Sequence, residues 1–291
     1  MNLQELQYKA NDIRQDIISM LVEAGSGHSA GPLDMADIFT ALYFGGVMKH
    51  DPENPTWSGR DRLVLSCGHI CPVLYATLAE SGYFPKEELK TLRKFGTRLH
   101  GHPHNLALPG IETSSGPLGQ GASQAVGMAL AFRMNNARNR VFLIMSDGEQ
   151  NEGQIWEAAM LAGKEKLHNL TAIIDRNNIQ IDGFTENVMP LEGLRAKYEA
   201  FNWHVLEIDG HNMQEIINAY KEAEAIYEKP TVIIAHTIPG KGVDYMEGKF
   251  EWHGAPPGSM DIAGAPPKAE QAAEALKELR TLRGQIRSEH E

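Results

Sequence analysis

MSDGEQNEGQIWEAAMLAGKEKLHNLTAIIDRNN, residues 145 to 178, decides how this chain folds. The apolar run Val141 to Met145 drops into Ser146-Asp147-Gly148-Glu149, and a second apolar run ends in Asp175-Arg176-Asn177-Asn178. Residues 153 to 166 between them read as a helix, so the stretch is strand, helix, strand, the unit of a parallel sheet. Asp147 and Asn177 then stand at the tips of two strands. Were those strands neighbours, about 4.8 Å apart, both side chains would reach one point.

The same alternation continues outward. Leu3, Leu6, Ala10, Ile13, Ile17 and Leu21 recur at helical spacing and stop at Gly25, which predicts an amphipathic helix with a glycine stop. Residues 33 to 44 read as a helix, 61 to 69 as a charged lead-in to a short buried strand, and CPVLYATLAESG as a helix closed by Gly82. The small-residue run GQGASQAVGMALAFRMNN is helical as well. Strands are expected at 141–146, 170–175, 203–208 and 231–236, with helices at 153–166, 191–200, 212–227 and 268–288 and a loop through Pro190. Short apolar strands alternating with longer helices give an α/β fold, a mainly parallel sheet with helices on both faces. Ligands of such sheets bind beyond the carboxyl ends of the strands, where Asp147, Asn177 and His236 lie.

Composition excludes several classes. With 291 residues, 42% of them hydrophobic, the chain can bury a full core. Its formal charge of −11 and the lack of a Lys/Arg cluster argue against nucleic acid. No apolar run is long enough to cross a bilayer, and the N-terminus lacks the apolar core of a signal peptide, so a cytoplasmic protein is expected. Cys67 and Cys71, the two cysteines, make neither a zinc pattern nor a disulfide framework and read as small buried hydrophobes. No G-x-G-x-x-G opens a helix after the first strand, which argues against a plain dinucleotide-binding domain.

One carboxylate and one amide oxygen at adjacent strand tips suit magnesium, which takes hard oxygen ligands and leaves the remainder to phosphate, water and carbonyls. Gly148 lets the backbone approach an anion, and the helix starting near Asn151 aims free N–H groups at it. Taken singly, Asp-Gly is commonest as a turn and Asn-Asn as a loop tip. Together, the two tips and the helix between them point to a cation shared with a diphosphate. Residues 96 to 118 form a long aperiodic loop with three His, and such loops are usually functional or disordered. Imidazoles presented by Gly- and Pro-rich loops face a cavity and suit proton transfer.

At this point the sequence resembles a known family. Ser146-Asp147-Gly148-Glu149 followed thirty residues later by Asn177 is similar to the thiamine diphosphate motif, with Ser146 where that motif usually has Gly. SGHSAG at 26–31, SCGHICPVLYATL at 66–78, HGHP at 100–103, ETSSGPLGQG at 112–121 and WHGAPP at 252–257 resemble transketolase in order and spacing. The resemblance implies that Asp147, Asn177 and the Ile179 carbonyl hold Mg2+, or Ca2+ or Mn2+ in its place. It implies Ser146, Gly148 and His69 at the cofactor's diphosphate, with His253 touching both diphosphate and substrate. His28 and His102 would face the substrate with catalytic roles shared with His253. Gly116, Pro117 and Leu118 would line the aminopyrimidine and thiazolium. Glu152 resembles an acid that joins subunit contacts beside the cofactor, although a favourable charge near a helix N-terminus accounts for it equally well. Lys241 reads as loop decoration rather than a phosphate contact. His50 and His168 read as solvated, and His211 has no role.

The diphosphate-binding domain would span 1–262, followed by a Pro/Gly linker and C-terminal helix over 263–291. Transketolase chains run more than twice this length and carry the acid that protonates the pyrimidine, and the arginines that grip a sugar phosphate, in a part with no counterpart here. The expectation is therefore the N-terminal subunit of a split transketolase, joined by a separate C-terminal subunit in a heterotetramer with two copies of each chain. Its reaction would move a two-carbon ketol unit from xylulose 5-phosphate to ribose 5-phosphate or erythrose 4-phosphate. The rivals are a deoxyxylulose-phosphate synthase-like or dihydroxyacetone synthase-like subunit with the same cofactor, and a non-catalytic binding subunit.

Overall fold

The computed structural model describes residues 1–290. In chain order the helices are α1 (Leu3–Ala24), α2 (Ala30–Asp34), α3 (Ala36–Phe44), α4 (Cys71–Glu80), α5 (Gln120–Met134), α6 (Gly153–Lys164), α7 (Thr185–Val188), α8 (Leu194–Ala200), α9 (Met213–Ala225) and α10 (Lys268–His290). The strands are β1 (Arg62–Leu65), β2 (Val141–Ser146), β3 (Leu170–Arg176), β4 (Ile179–Gln180), β5 (Gly183–Phe184), β6 (His204–Asp209) and β7 (Thr231–His236). Five of these form one sheet in the order β1-β2-β3-β7-β6, every pair parallel, while β4 and β5 make a small antiparallel hairpin.

Every residue of β2 and β3 is buried. Successive side chains leave a strand on opposite faces, and the core divides accordingly. Phe142, Ile144 and Ile173 pack with α1, α3 and α4, whereas Leu143, Met145, Ala172 and Ile174 pack with α5, α6 and α8. Each of the large side chains among them contributes about 1.5–3 kcal/mol when fully buried, so strand pairing is fixed by apolar demand on both faces. The register sets Ser146 opposite Asp175, which brings the residues just beyond them, Asp147 and Asn177, to the same end of the sheet.

Local chemistry explains the helix limits. Asn2 and Glu5 form a reciprocal capping box at the start of α1, and Gly25 closes it in the left-handed conformation. The helix expected over 33–44 is two, α2 and α3, and it begins earlier because Pro32 is tolerated in a first turn. Only Arg62–Leu65 of the segment 61–69 is strand, and a 3-10 turn, Gly68–Ile70, follows it. Another 3-10 turn, Gly148–Asn151, precedes α6, so the regular helix starts at Gly153 rather than near Asn151. α10 packs along α1, where Asn11 Nδ2 donates to the Leu279 carbonyl at 2.8 Å. No helix among the described residues is long and apolar enough to cross a membrane.

Three histidines differ from their sequence reading, and one of them, His168, is half-buried rather than solvated, its ring 5.9 Å from that of Tyr227. His50 is half-buried rather than solvated, with Nε2 at 2.9 Å from the Tyr43 carbonyl and Nδ1 at 3.3 Å from the Tyr83 hydroxyl. His211 has a structural place: Nδ1 lies 2.9 Å from Asp37, and Nε2 accepts from the Ile238 N–H at 2.8 Å. Both cysteines are free and buried, as expected.

Gly163, near the end of α6, packs directly on the backbone after α8, where a Cβ would stand 1.8 Å from the Phe201 carbonyl oxygen. Gly163→Ala should lower the unfolding free energy by about 1–3 kcal/mol or more, because a packed backbone must move. Urea unfolding checks this; an unchanged midpoint would refute the close packing.

Candidate active site

One cavity of about 530 Å³ opens at the carboxyl ends of the strands. His28, His69, His102, Gly116, Leu118, Ser146, Asp147, Gly148, Glu152, Asn177, Ile179 and His253 all line it. Pro117 is not among the lining residues; it is exposed beside them. His236 sits at a strand end as expected but pairs with Glu207 at 3.1 Å outside the cavity. A second cavity, about 600 Å³ and lined by Lys49, Arg140, His168 and Tyr227, contains none of these residues.

The acidic floor comes from the strand tips. Asp147 is 1% exposed; its Oδ1 accepts from the Gly148 N–H at 2.6 Å, and its Oδ2 accepts from Asn178 N–H at 2.7 Å and Arg176 Nη1 at 3.0 Å. Burial pushes its carboxyl up to about 6, although Arg176 opposes this. Asn177 Nδ2 donates to Asp175 at 2.9 Å and to Asp34 at 3.1 Å, and Oδ1 accepts from the Ile179 N–H at 3.1 Å. That clamp fixes which way the amide faces. Asn178 takes φ 65°, a left-handed turn that asparagine tolerates, and so carries the chain from β3 into the β4–β5 hairpin. In Asn-Asn the first residue faces the cavity and the second makes the loop tip.

Four functional positions escape the sequence reading. Asp34 and Asp175 are buried against Asn177; burial drives both carboxyls upward, Asp175 to about 8. Arg176 braces Asp147 while also meeting Glu186 and Glu192, each at 2.8 Å. Glu149 is buried, accepts from Ser66 Oγ, the Gly119 N–H and the Ser146 N–H, and is pushed up to about 7 by burial. It thereby pins the loop carrying Gly116 and Leu118 to the Asp-Gly turn. A carboxylate one residue past Asp-Gly, and another inside an apolar strand run, are the available signals.

Opposite the floor stands a cluster of imidazoles. His28–His69, His69–His253 and His28–His253 ring centroids are 5.0, 5.2 and 5.5 Å apart. Long-range bonds hold their loops together. Ser29 Oγ lies 2.7 Å from the Ala255 carbonyl and 3.1 Å from that of Trp252, joining the His28 loop to the His253 loop. Tyr75 Oη donates to the His100 carbonyl at 2.8 Å, fixing the long loop near His102. Burial holds His28 and His253 down to about 4, and it lowers His69 and His102 as well. All four are thus held toward the neutral form. Glu152 is exposed at the edge of the cavity, at the start of α6.

The donor set fits a hard divalent cation with a diphosphate. The Asp147 carboxylate, the Asn177 amide and Ile179 line one cavity, and burial there disfavours a bare carboxylate charge, which a cation would offset. Among the described residues no three His, Cys, Asp or Glu are grouped to hold a metal unaided, as befits a cation whose remaining ligands come from phosphate. His28 Nδ1, His253 Nδ1 and Asp34 Oδ1 are buried without a hydrogen-bond partner, and such atoms cost about 1–3 kcal/mol each unless a ligand meets them.

The depressed histidines set a pH dependence. Between the unfolded imidazole value of about 6.5 and the folded value, the unfolded chain binds protons that the folded chain refuses, so stability is lost as pH falls. For His253 that window runs from there down to about 4. Relative to His253→Gln, the wild-type chain should therefore lose up to about 1.4 kcal/mol per pH unit across it. Urea unfolding of both proteins at several pH values measures this; a pH-independent difference would exclude a neutral buried His253.

Comparison with known proteins agrees with this geometry. Residues 6–272 match the family model described as transketolase, thiamine diphosphate binding domain. The chain is 49% identical over 249 residues to the 6-deoxy-6-sulfo-D-fructose transketolase subunit SqwG of Clostridium sp. strain MSTE9, covering 86% of this chain and 90% of that one. An apulose-4-phosphate transketolase subunit of Phocaeicola vulgatus is 42% identical over 279 residues, 96% of this chain and 95% of the relative. Among solved structures, transketolase from Campylobacter jejuni superposes with a TM-score of 0.84 at 36% identity, covering 99% of this chain but 48% of the other. The chain thus spans about half the length of that transketolase and nearly all of the two subunits. It belongs to the transketolase family of ketol-transferring enzymes and carries that family's thiamine diphosphate binding domain.

Proposed function

We propose that this chain is the cofactor-anchoring subunit of a two-chain transketolase, assembled as two copies of each chain, and that it moves a two-carbon ketol unit from a ketose to an aldose. The observation that carries the reading is the cavity in which oxygen donors at the tips of β2 and β3 face four imidazoles held toward the neutral form. Relatives named as subunits match along nearly their whole length, which supports a separate partner chain.

In this reading Asp147, Asn177 and the Ile179 carbonyl hold Mg2+, with Ca2+ or Mn2+ able to replace it. His69, Ser146 and Gly148 contact the diphosphate. Leu118 and the backbone of Gly116 and Pro117 position the rings, held in place through Glu149. When bound, thiamine diphosphate supplies a carbon nucleophile that stabilises negative charge next to the sugar's carbonyl. His28, His102 and His253 exchange protons with the sugar's hydroxyls, a task suited to imidazoles kept neutral by burial. Glu152, at the rim beside α6, is placed to meet the partner subunit. The resemblance suggests xylulose 5-phosphate as donor and ribose 5-phosphate or erythrose 4-phosphate as acceptor. The relative at 49% identity, named for 6-deoxy-6-sulfo-D-fructose, favours a sulfonated ketose as a second reading.

Co-expression with a C-terminal transketolase subunit, followed by a coupled ketol-transfer assay, tests the proposal. Activity should require both chains, thiamine diphosphate and Mg2+, and chelation should remove it. Full turnover by this chain alone would overturn the split-site reading. Asp147→Ala should abolish Mg2+-dependent retention of the cofactor, measured by calorimetry, while the far-ultraviolet circular dichroism stays unchanged. Undiminished retention would show that the cation is held elsewhere.

A further inference from the structure

The other cavity, of about 600 Å³, opens at the amino end of the sheet. Arg140 and Asn169 line it and immediately precede β2 and β3. β2, six residues and about 20 Å long, therefore separates it from the strand tips. In a chain with 38 acidic and 27 basic residues, its lining carries Lys49, Arg133, Arg138 and Arg140 against the single carboxylate of Glu224.

Two of those four bases serve the fold. Helix carbonyls gather partial negative charge at a C-terminus, and α5, α6 and α9 all end near this cavity. Arg133 donates to the Glu165 carbonyl after α6 and pairs with the Glu165 carboxylate at 2.8 Å. Arg140 Nη2 donates to the Ala223 carbonyl in the last turn of α9 and to Thr171 Oγ1, each at 3.1 Å. Lys49 and Arg138 have no comparable use. Both are exposed, and among the described residues neither side chain has an ion-pair or hydrogen-bond partner. Unpaired cations beside a half-buried guanidinium suit a phosphate.

Two more observations narrow the ligand. Asn169 is 8% exposed, and its Nδ2 donates to the Ala129 carbonyl at 3.0 Å. That bond fixes the amide's orientation and leaves Oδ1 buried with no partner. An orphaned acceptor calls for an N–H donor rather than another anionic oxygen. Beside it the rings of His168 and Tyr227 lie 5.9 Å apart, and Tyr227, 73% exposed, offers an aromatic face at the cavity's edge. Phosphate charge, a flat ring and an exocyclic amine meet in nucleotides whose base carries an amino group.

We propose that this cavity binds an adenosine or cytidine phosphate, with the phosphates on Lys49, Arg138 and Arg140, the base against Tyr227, and its amine on Asn169 Oδ1. The site is independent of the ketol-transfer reading, since none of its residues lines the cofactor cavity.

Calorimetric titration of the full chain with ADP, CDP, inosine diphosphate and inorganic diphosphate tests this. ADP or CDP should bind at least about tenfold more tightly than inosine diphosphate, which has an oxo group in place of the amine, and than inorganic diphosphate. The tighter of the two identifies the base. Lys49→Ala and Arg138→Ala should each weaken that nucleotide by roughly threefold to thirtyfold, and Tyr227→Ala by roughly tenfold, while Asp147→Ala leaves it unchanged. Urea midpoints equal to wild type show that the three surface variants are folded. No binding of ADP or CDP at millimolar concentration would overturn the proposal, as would inosine or inorganic diphosphate binding equally well. Affinity that survives all three surface substitutions but is lost in Asp147→Ala would overturn it too, by placing the nucleotide in the cofactor cavity.

Discussion

The pairing of β2 with β3 is the constraint on which the rest depends. Side chains alternate faces along a strand, so a slip of one residue would exchange the two cores and carry the residues at the tips away from each other. Both strands are apolar on both sides, and neither core tolerates that exchange. Packing far from the cavity therefore places Asp147 and Asn177 side by side. The clamp of Asp34 and Asp175 on the Asn177 amide then orients what the strands have only brought near.

Burial acts on both halves of the cavity in opposite chemical directions and with one electrical result. It raises the carboxyls of Asp34, Asp147, Glu149 and Asp175, and it lowers the imidazoles of His28, His69 and His253. Acids and bases alike are driven toward their uncharged forms. A diphosphate and its cation would bring the charge, and side chains unpartnered in the free chain would then find partners.

Much of this is legible in the residues. Runs such as Val141–Ser146 and Thr231–His236 carry enough apolar, β-branched character to mark strands to within a residue, and Gly25 marks its helix end. Most of the motif residues, with His28, His69, His102 and His253, also gather around one cavity. What local pattern cannot carry is the identity of distant partners. Glu149 looks like one more acid in a turn until the fold sets Ser66 and Gly119 against it, and Asp34 looks like a residue of a surface helix until Asn177 arrives from 143 positions away. His50 reads as solvated for the same reason, because Tyr43 and Tyr83 close over it only in three dimensions. The break between α2 and α3 and the 3-10 turn after Asp147 are shifts of a few residues, the range in which capping competes with periodicity.

The oxygens of Asp147 and Asn177 project from the rigid ends of a sheet, whereas His28, His102 and His253 ride on connecting segments tied down by a few bonds such as those of Ser29 and Tyr75. Those segments can vary in length and composition without disturbing the strands beneath them. Such a scaffold is modular: its outer rim can be remodelled while the base beneath it keeps its shape.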